Sequence, residues 1–187
     1  MKLNQLIKMN KMKKIIAFSL LLVCFQINGQ KKELKTIEKL IKVENFSSAL
    51  NNLNNIEGKI SPSDKKTLAK FYYLNGLALY QNGNSSYTET KTSINSLNKS
   101  ISTEIGGNNY YTSKINKLKI DMLNNFISNG NNFLDEKLFE KSYQNFELAY
   151  RVSSRDTLYL RNAALVANQA NNYEKALDFY LELVNLD

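Results

Sequence analysis

Few residues in this chain could carry chemistry. Asp135 and Glu136 are adjacent carboxylates, the kind of pair that general acid–base catalysis uses. Gly106 and Gly107 form a glycine pair and Cys24 is the single thiol. Each is undercut by its surroundings. Asp135 and Glu136 fall where an amphipathic helix presents its polar face. Gly106-Gly107 is not followed by the Lys-Ser/Thr step that a phosphate loop needs. There is no histidine, which removes the commonest general base and metal ligand. Cys24 sits in an apolar N-terminal run; once that run is removed, no thiol remains for nucleophilic catalysis or a zinc–thiolate site. The sequence therefore offers no catalytic residue, no metal ligand set and no cofactor site, and an enzyme is not expected. The chemistry left is recognition by Tyr, Asn, Lys and Arg, and that depends on the elements that present them.

The formal charge of +8 hints at nucleic acid, but its distribution removes the hint. Lys2, Lys8, Lys11, Lys13 and Lys14 precede residue 30, and no acidic residue does. Without them, twenty basic residues face seventeen acidic ones, interleaved along the chain. A nucleic-acid footprint needs a clustered basic stripe, so no nucleic-acid partner is expected.

The first 29 residues read as a signal peptide. Lys8 to Lys14 is positive, Ile15 to Phe25 is an apolar run, and Gln26 to Gln30 is polar with Gly29 near its end. The apolar run has 11 residues, too few to span a bilayer, which takes about 20; no transmembrane helix is expected after cleavage. Leu21, Leu22 and Val23 precede Cys24, and valine at the last place argues against lipidation there. The expected location is the periplasm or cell envelope of a Gram-negative-type bacterium. A mature chain without cysteine must be held by packing alone.

From residue 30 onward the pattern is helical throughout. Pro62 is the only proline and glycine is sparse. In the last third, Tyr173, Ala176, Leu177 and Tyr180 fall 34 positions after Phe139, Ser142, Tyr143 and Phe146. Leu160, Ala164 and Ala167 fall the same distance after Phe126, Gly130 and Phe133. A period of 34 with these residue sizes is a helix–turn–helix repeat signature. Two antiparallel helices approach closely where a small side chain faces a large one. Ala163, Ala164, Ala167 and Ala176 are the small positions of the last unit, and Leu160, Tyr173, Tyr180 and Leu183 are expected to fill the space between. Gly130, Ser142 and Ala149 are small in the unit before, where Phe126, Phe133, Phe139 and Phe146 are large.

This arrangement resembles the tetratricopeptide repeat, with Asn129 and Ala163 at the leucine of its Leu-Gly pair, Ser142 at an alanine, and no closing proline. The resemblance implies an all-α, right-handed α-solenoid of about four helix hairpins, covering residues 31–58, 62–105, 109–154 and 157–187 of a domain spanning 30–187. In the first unit, Phe46, Ala49 and Leu53 repeat the roles of Tyr173, Ala176 and Tyr180. In the second, Tyr72 to Gly83 fits a first helix, while the Ser-, Thr- and Asn-rich stretch from Tyr87 to Ile105 lacks the alanine–aromatic pairing. From Tyr110 to Asp135 the helical pattern runs about two turns longer than a repeat needs, and the sequence assigns those turns no role.

The resemblance further implies a concave surface built from first helices. Its inner positions map onto Lys70, Tyr73, Leu77 and Tyr80 in unit two, Asn124, Ile127, Asn131 and Leu134 in unit three, and Arg161, Leu165 and Asn168 in unit four. The function it implies is that of a non-enzymatic scaffold or adaptor gripping a protein or peptide. Two alternatives stand beside it: the docking part of a larger envelope protein whose activity lies beyond Asp187, and binding of a small molecule or glycan near Tyr73, Tyr80 and Phe126. Leu181 and Val184 on the last helix would normally be covered; either the chain is part of a longer protein, or a partner covers that face, or the last helix frays.

Overall fold

The computed structural model describes residues 29–104 and 109–186. The expected signal peptide up to residue 28, Cys24 and the Gly106-Gly107 turn lie outside the described residues. Within them every long element is helical and there is no strand: α1 (29–42), α2 (Phe46–Ile56), α3 (Lys65–Tyr80), α4 (Tyr87–Thr103), α5 (Tyr110–Asp135), α6 (Phe139–Val152), α7 (Thr157–Gln169) and α8 (Tyr173–Val184). No helix among the described residues is long and apolar enough to cross a membrane.

Local chemistry sets the helix starts. Asn45, Asp64 and Asn172 each accept a hydrogen bond from the backbone N–H three residues on, at 3.2, 3.1 and 3.1 Å, satisfying donors that a helix start leaves orphaned. Asp64 is thus the cap itself, with Pro62 just ahead of the helix. Ser86 and Glu89 form a reciprocal capping box at the start of α4. Glu104 takes over this role for α5: its carboxylate accepts from Thr112 N at 2.7 Å, Thr112 Oγ1 at 2.9 Å and Tyr111 N at 3.1 Å. Burial opposes the Glu104 charge, but these bonds outweigh it and hold its carboxyl below the usual range.

Three of the connections between helices are the same turn. Leu138 N donates to Phe133 O at 2.8 Å, Asn172 N to Ala167 O at 3.0 Å and Asn45 N to Leu40 O at 2.9 Å. The residue before each donor is left-handed: Lys137 at φ 59°, Asn171 at φ 57° and Glu44 at φ 59°. This is a Schellman-type helix stop. Lys137 and Asn171 are 34 residues apart, so the period seen in side-chain sizes recurs in the backbone. The α3–α4 connection differs, running through a 3₁₀ turn at Gln81–Gly83 with Gly83 at φ 92°. A lysine or glutamate in left-handed backbone is strained. Lys137→Gly and Glu44→Gly are each expected to stabilise the fold by about 0.5–1 kcal/mol. Chemical denaturation measures this, and the midpoint should rise in both variants.

Helices α3 and α4, α5 and α6, α6 and α7, and α7 and α8 pack along one another; α2 meets α3, and α4 meets α5 and α6, over shorter stretches. The apolar interior forms three clusters in chain order. The first joins α1, α2 and α3 around Leu34, Ile37, Leu53 and Leu74. The second joins α3 to α6 around Tyr80, Ile94, Leu97, Ile115, Met122 and Phe126. The third joins α6, α7 and α8 around Tyr143, Tyr150, Leu160, Ala164 and Phe179. Tyr73 packs against the first two and Tyr159 against the last two.

Two expectations change. The serines of α4 are its small residues, not a sign of weak packing. Ser93 Oγ donates to Gly76 O at 2.7 Å and Ser100 Oγ to Ala69 O at 2.8 Å, all buried against α3. The same bond recurs in the next pair, where Ser142 Oγ donates to Gly130 O at 2.8 Å. In the last pair, Tyr173 and Tyr180 are exposed and the buried ring of α8 is Phe179. Phe179 and Ala176, one helical turn apart, face α7 and α6, with Phe179 edge-on to Tyr143 at 6.1 Å; Tyr180 is rotated off that face.

Candidate functional site

The extra N-terminal turns of α5 settle what the α3 surface can do. Ile115 and Met122 are fully buried in the second cluster and Leu118 packs against it. Tyr80 of α3 belongs to the same cluster. Tyr111 stacks on Tyr73 with ring centroids 5.0 Å apart, and Tyr110 meets Tyr111 edge-on at the same distance. Lys70 is tied to Glu38 of α1 at 2.7 Å; its hydrogen bond is the main cause holding the Glu38 carboxyl below the ordinary range. Tyr80 is buried, and burial pushes its hydroxyl up. Leu77 is half-buried. Of the four α3 residues expected on an open surface, then, three are engaged by the protein's own side chains and the fourth is half covered.

The α5 and α7 positions behave differently. Asn124 and Asn131 are exposed on α5, as are Leu158, Arg161, Leu165 and Asn168 on α7. Ile127 and Leu134 are half-buried, Ile127 against the second cluster and Leu134 against the third. Asn124 pairs with Leu158 and Asn131 with Leu165 at the 34-residue offset. Leu158 and Leu165 are 56% and 55% exposed, two large apolar side chains on one stripe with Arg161 between them. The counterparts of the two leucines, Asn124 and Asn131, are exposed as well, while Ile127, the counterpart of Arg161, is half-buried.

A groove of about 510 Å³ lies between the α3–α4 turn and the α5–α6 pair. Tyr80, Phe126 and Leu148 form its floor, and Asn82, Asn125, Asn129, Gln144, Asn145 and Lys141 are on its walls. Tyr73 does not line it, so the Tyr73–Tyr80–Phe126 grouping expected for a small ligand is split: Tyr80 and Phe126 share the groove, and Tyr73 stacks on Tyr111 outside it.

Sequence reasoning missed Glu147. It lies on the buried side of α6 at 1% exposure. Tyr87 Oη donates to Glu147 Oε2 in a short hydrogen bond, Lys91 Nζ lies 3.0 Å from Oε1, and Arg151 Nε donates to the same oxygen at 2.8 Å. Burial works against its charge, but the bonds from Tyr87, Lys91 and Arg151 outweigh it and hold the carboxyl below the ordinary range. Burial, together with that carboxylate, pushes the Tyr87 hydroxyl far up. Tyr87 and Lys91 are on α4 and Arg151 is on α6, so the group straps the second hairpin to the third where α4 and α6 touch only briefly. Tyr87, Lys91 and Arg151 each direct a polar atom at this one carboxylate. The signal available in the sequence was an acidic residue between Phe146 and Leu148, on the otherwise apolar face of α6.

Among the described residues, no group of three or more acidic, histidine or cysteine side chains could hold a metal ion. Comparison with protein-family models, curated proteins and solved structures finds no match for the chain.

Proposed function

We propose that the protein is a non-enzymatic helical-repeat adaptor of tetratricopeptide type, arranged as a solenoid, exported by its N-terminal segment and binding another protein in the cell envelope. The observation that carries this reading is the α7 stripe, where Leu158 and Leu165 are exposed on either side of Arg161 at positions that stay outward in the preceding repeat. Exposed apolar side chains around an arginine are the composition of an interface anchor. Asn124 and Asn131 extend the surface onto α5 with neutral donors and acceptors.

The test is affinity capture from envelope extract with the wild-type protein, Leu158→Asp/Leu165→Asp, Arg161→Ala and Tyr73→Ala. Capture of a defined partner should fall at least about tenfold in the first variant, a change of about 1.4 kcal/mol. Arg161→Ala should weaken it, and Tyr73→Ala, whose ring stacks internally, should leave it unchanged. Equal capture by all four proteins removes the α5–α7 surface from consideration.

A second reading, binding of a glycan or small polar molecule, is supported by the groove under Asn125, Asn129 and Gln144. Its amides offer paired donors and acceptors over the ring floor of Tyr80 and Phe126. Titration with an oligosaccharide panel, followed by the amide resonances of Asn125 and Asn129, decides it; no shift at about 10 mM sugar, where even millimolar affinity would show, rejects it.

A further inference from the structure

From residue 30 onward the chain has no cysteine, tryptophan or histidine and one methionine, Met122, which is fully buried. The sulfur side chains that oxidants ordinarily attack first are therefore missing from this stretch or covered. Tyrosine is what remains to give up an electron, and all eleven tyrosines lie here. Among the described residues two tyrosine pairs meet ring to ring, and Tyr111 belongs to both.

The two pairs differ in geometry and in charge. Tyr73 of α3 and Tyr111 of α5 stand with ring centroids 5.0 Å apart and planes inclined by 34°. Along one side, the rims of these two rings therefore come closer together than their centres. Tyr110 meets Tyr111 at 81°, the rim of one ring against the face of the other. Lys114 Nζ lies 4.2 Å from the Tyr110 ring centroid and donates to the Tyr110 hydroxyl at 2.7 Å. A cation so placed opposes loss of an electron from that ring. Tyr111 lies in the field of carboxylates instead: burial, then Glu38 and more weakly Glu104, push its hydroxyl up. Negative charge that holds a proton on a phenol also eases the loss of an electron from it. On Tyr73, Lys114 and Glu38 act in opposite directions. Tyr73 and Tyr111 are both half-buried, so packing holds the rings in place while water can still take up their protons.

We propose that Tyr73 and Tyr111 form an oxidative cross-linking site, at which a peroxide-driven one-electron oxidant joins the two rings by a carbon–carbon bond and fastens α3 to α5. Each phenol gives one electron to the oxidant and one proton to water. The two phenoxyl radicals pair their unpaired electrons in a bond between ring carbons ortho to the oxygens, and the two ortho hydrogens move to the oxygens through solvent. The chain loses two hydrogen atoms in all, and one hydrogen peroxide becomes two waters. Tyr73 packs against both the first and the second apolar cluster, so the new bond fixes the joint between them. The site is independent of the α5–α7 surface and of the groove.

The full chain, kept dilute, is treated with hydrogen peroxide and a haem peroxidase. The expected product is a monomer on reducing gels that shows dityrosine fluorescence. Its digest should contain one peptide pair, α3 joined to α5 through Tyr73 and Tyr111, lighter by two hydrogen atoms. Tyr73→Phe and Tyr111→Phe keep the stacked rings and the fold. Each should lower the yield of intramolecular dityrosine at least about tenfold, because a held neighbour is replaced by chance encounter. Tyr110→Phe should leave the Tyr73–Tyr111 link in place. The linked chain should also unfold at a higher urea concentration than the untreated one, since the bond closes a loop in the unfolded chain. Absence of a link overturns the proposal, and so does a link through Tyr110 or coupling only between molecules through the exposed Tyr173 and Tyr180. An unchanged urea midpoint also overturns it, since the rings would then have left their native places to couple.

Discussion

Replacing Glu147 with alanine is expected to lower the unfolding free energy by about 3 kcal/mol, the lower end of what breaking a buried ion pair costs. The lower end applies because Lys91 and Arg151 keep side-chain exposures of 31% and 30% and can turn back to water, while the Tyr87 hydroxyl loses its acceptor. Glu147→Gln keeps the shape and an acceptor for Tyr87 but removes the charge that both cations face, and should cost about 1.5–3 kcal/mol, as for hydrogen bonds to a charged group. The pH dependence follows from the direction of the shift. The folded-state pKa of Glu147 lies below its unfolded value, so its contribution is complete above the unfolded pKa near 4.5 and is lost as pH falls through the folded one. Urea unfolding should therefore show a constant gap between the wild-type protein and Glu147→Gln from neutral pH down to about pH 5, narrowing at lower pH. A gap that widens on acidification would mean that the strap is not ionised in the fold.

The second large effect is expected at the contact between α5 and α6. A Cβ placed on Gly130 would stand 2.9 Å from Phe146 Cε1, below any ordinary carbon contact. Phe146→Ala should cost about 3–5 kcal/mol through the cavity it leaves. Gly130→Leu should cost several kcal/mol, because an overpacked side chain meets a ring held in the third cluster. The two changes together should cost less than their sum by about 1–3 kcal/mol, since the leucine occupies space the ring vacates. Thermal or urea unfolding of the four proteins gives the coupling directly; strict additivity would show that the small–large pairing is not what sets this spacing.

That pairing is also what made much of the fold readable beforehand. Gly130 opposite Phe146 and Ala164 opposite the α8 helix are visible as sizes at a fixed interval, and the turn at Lys137 recurs at Asn171 because the same helix stop serves both. Three things resisted such reading. A serine is small, but its hydroxyl makes it look solvent-facing until Ser93 and Ser100 are seen donating to carbonyls of α3. The length of α5 shows in its sequence, yet what Ile115 and Met122 cover depends on where α3 ends in space. The two rings of α8 are neighbours in sequence, and only the helix rotation decides that Phe179 goes inward and Tyr180 outward. Of the surface residues, Asn124, Asn131, Arg161, Leu165 and Asn168 are exposed, while Lys70, Tyr73 and Tyr80 are taken up by neighbours that no repeat pattern specifies. Glu147 was hidden for the opposite reason: alone among apolar residues, it looked like a polar position out of place.

The two bridging rings, Tyr73 and Tyr159, carry a mechanical consequence. Each is a side chain packed against two successive apolar clusters, so the clusters are joined at few side chains besides the helices α3 and α6 that they share. Pulled between its ends, such a chain yields in separate steps instead of one. The force–extension trace should show the C-terminal and N-terminal hairpins releasing first, with the segment strapped by Glu147 holding longest. Under load, the ends could give way and re-form without losing the middle.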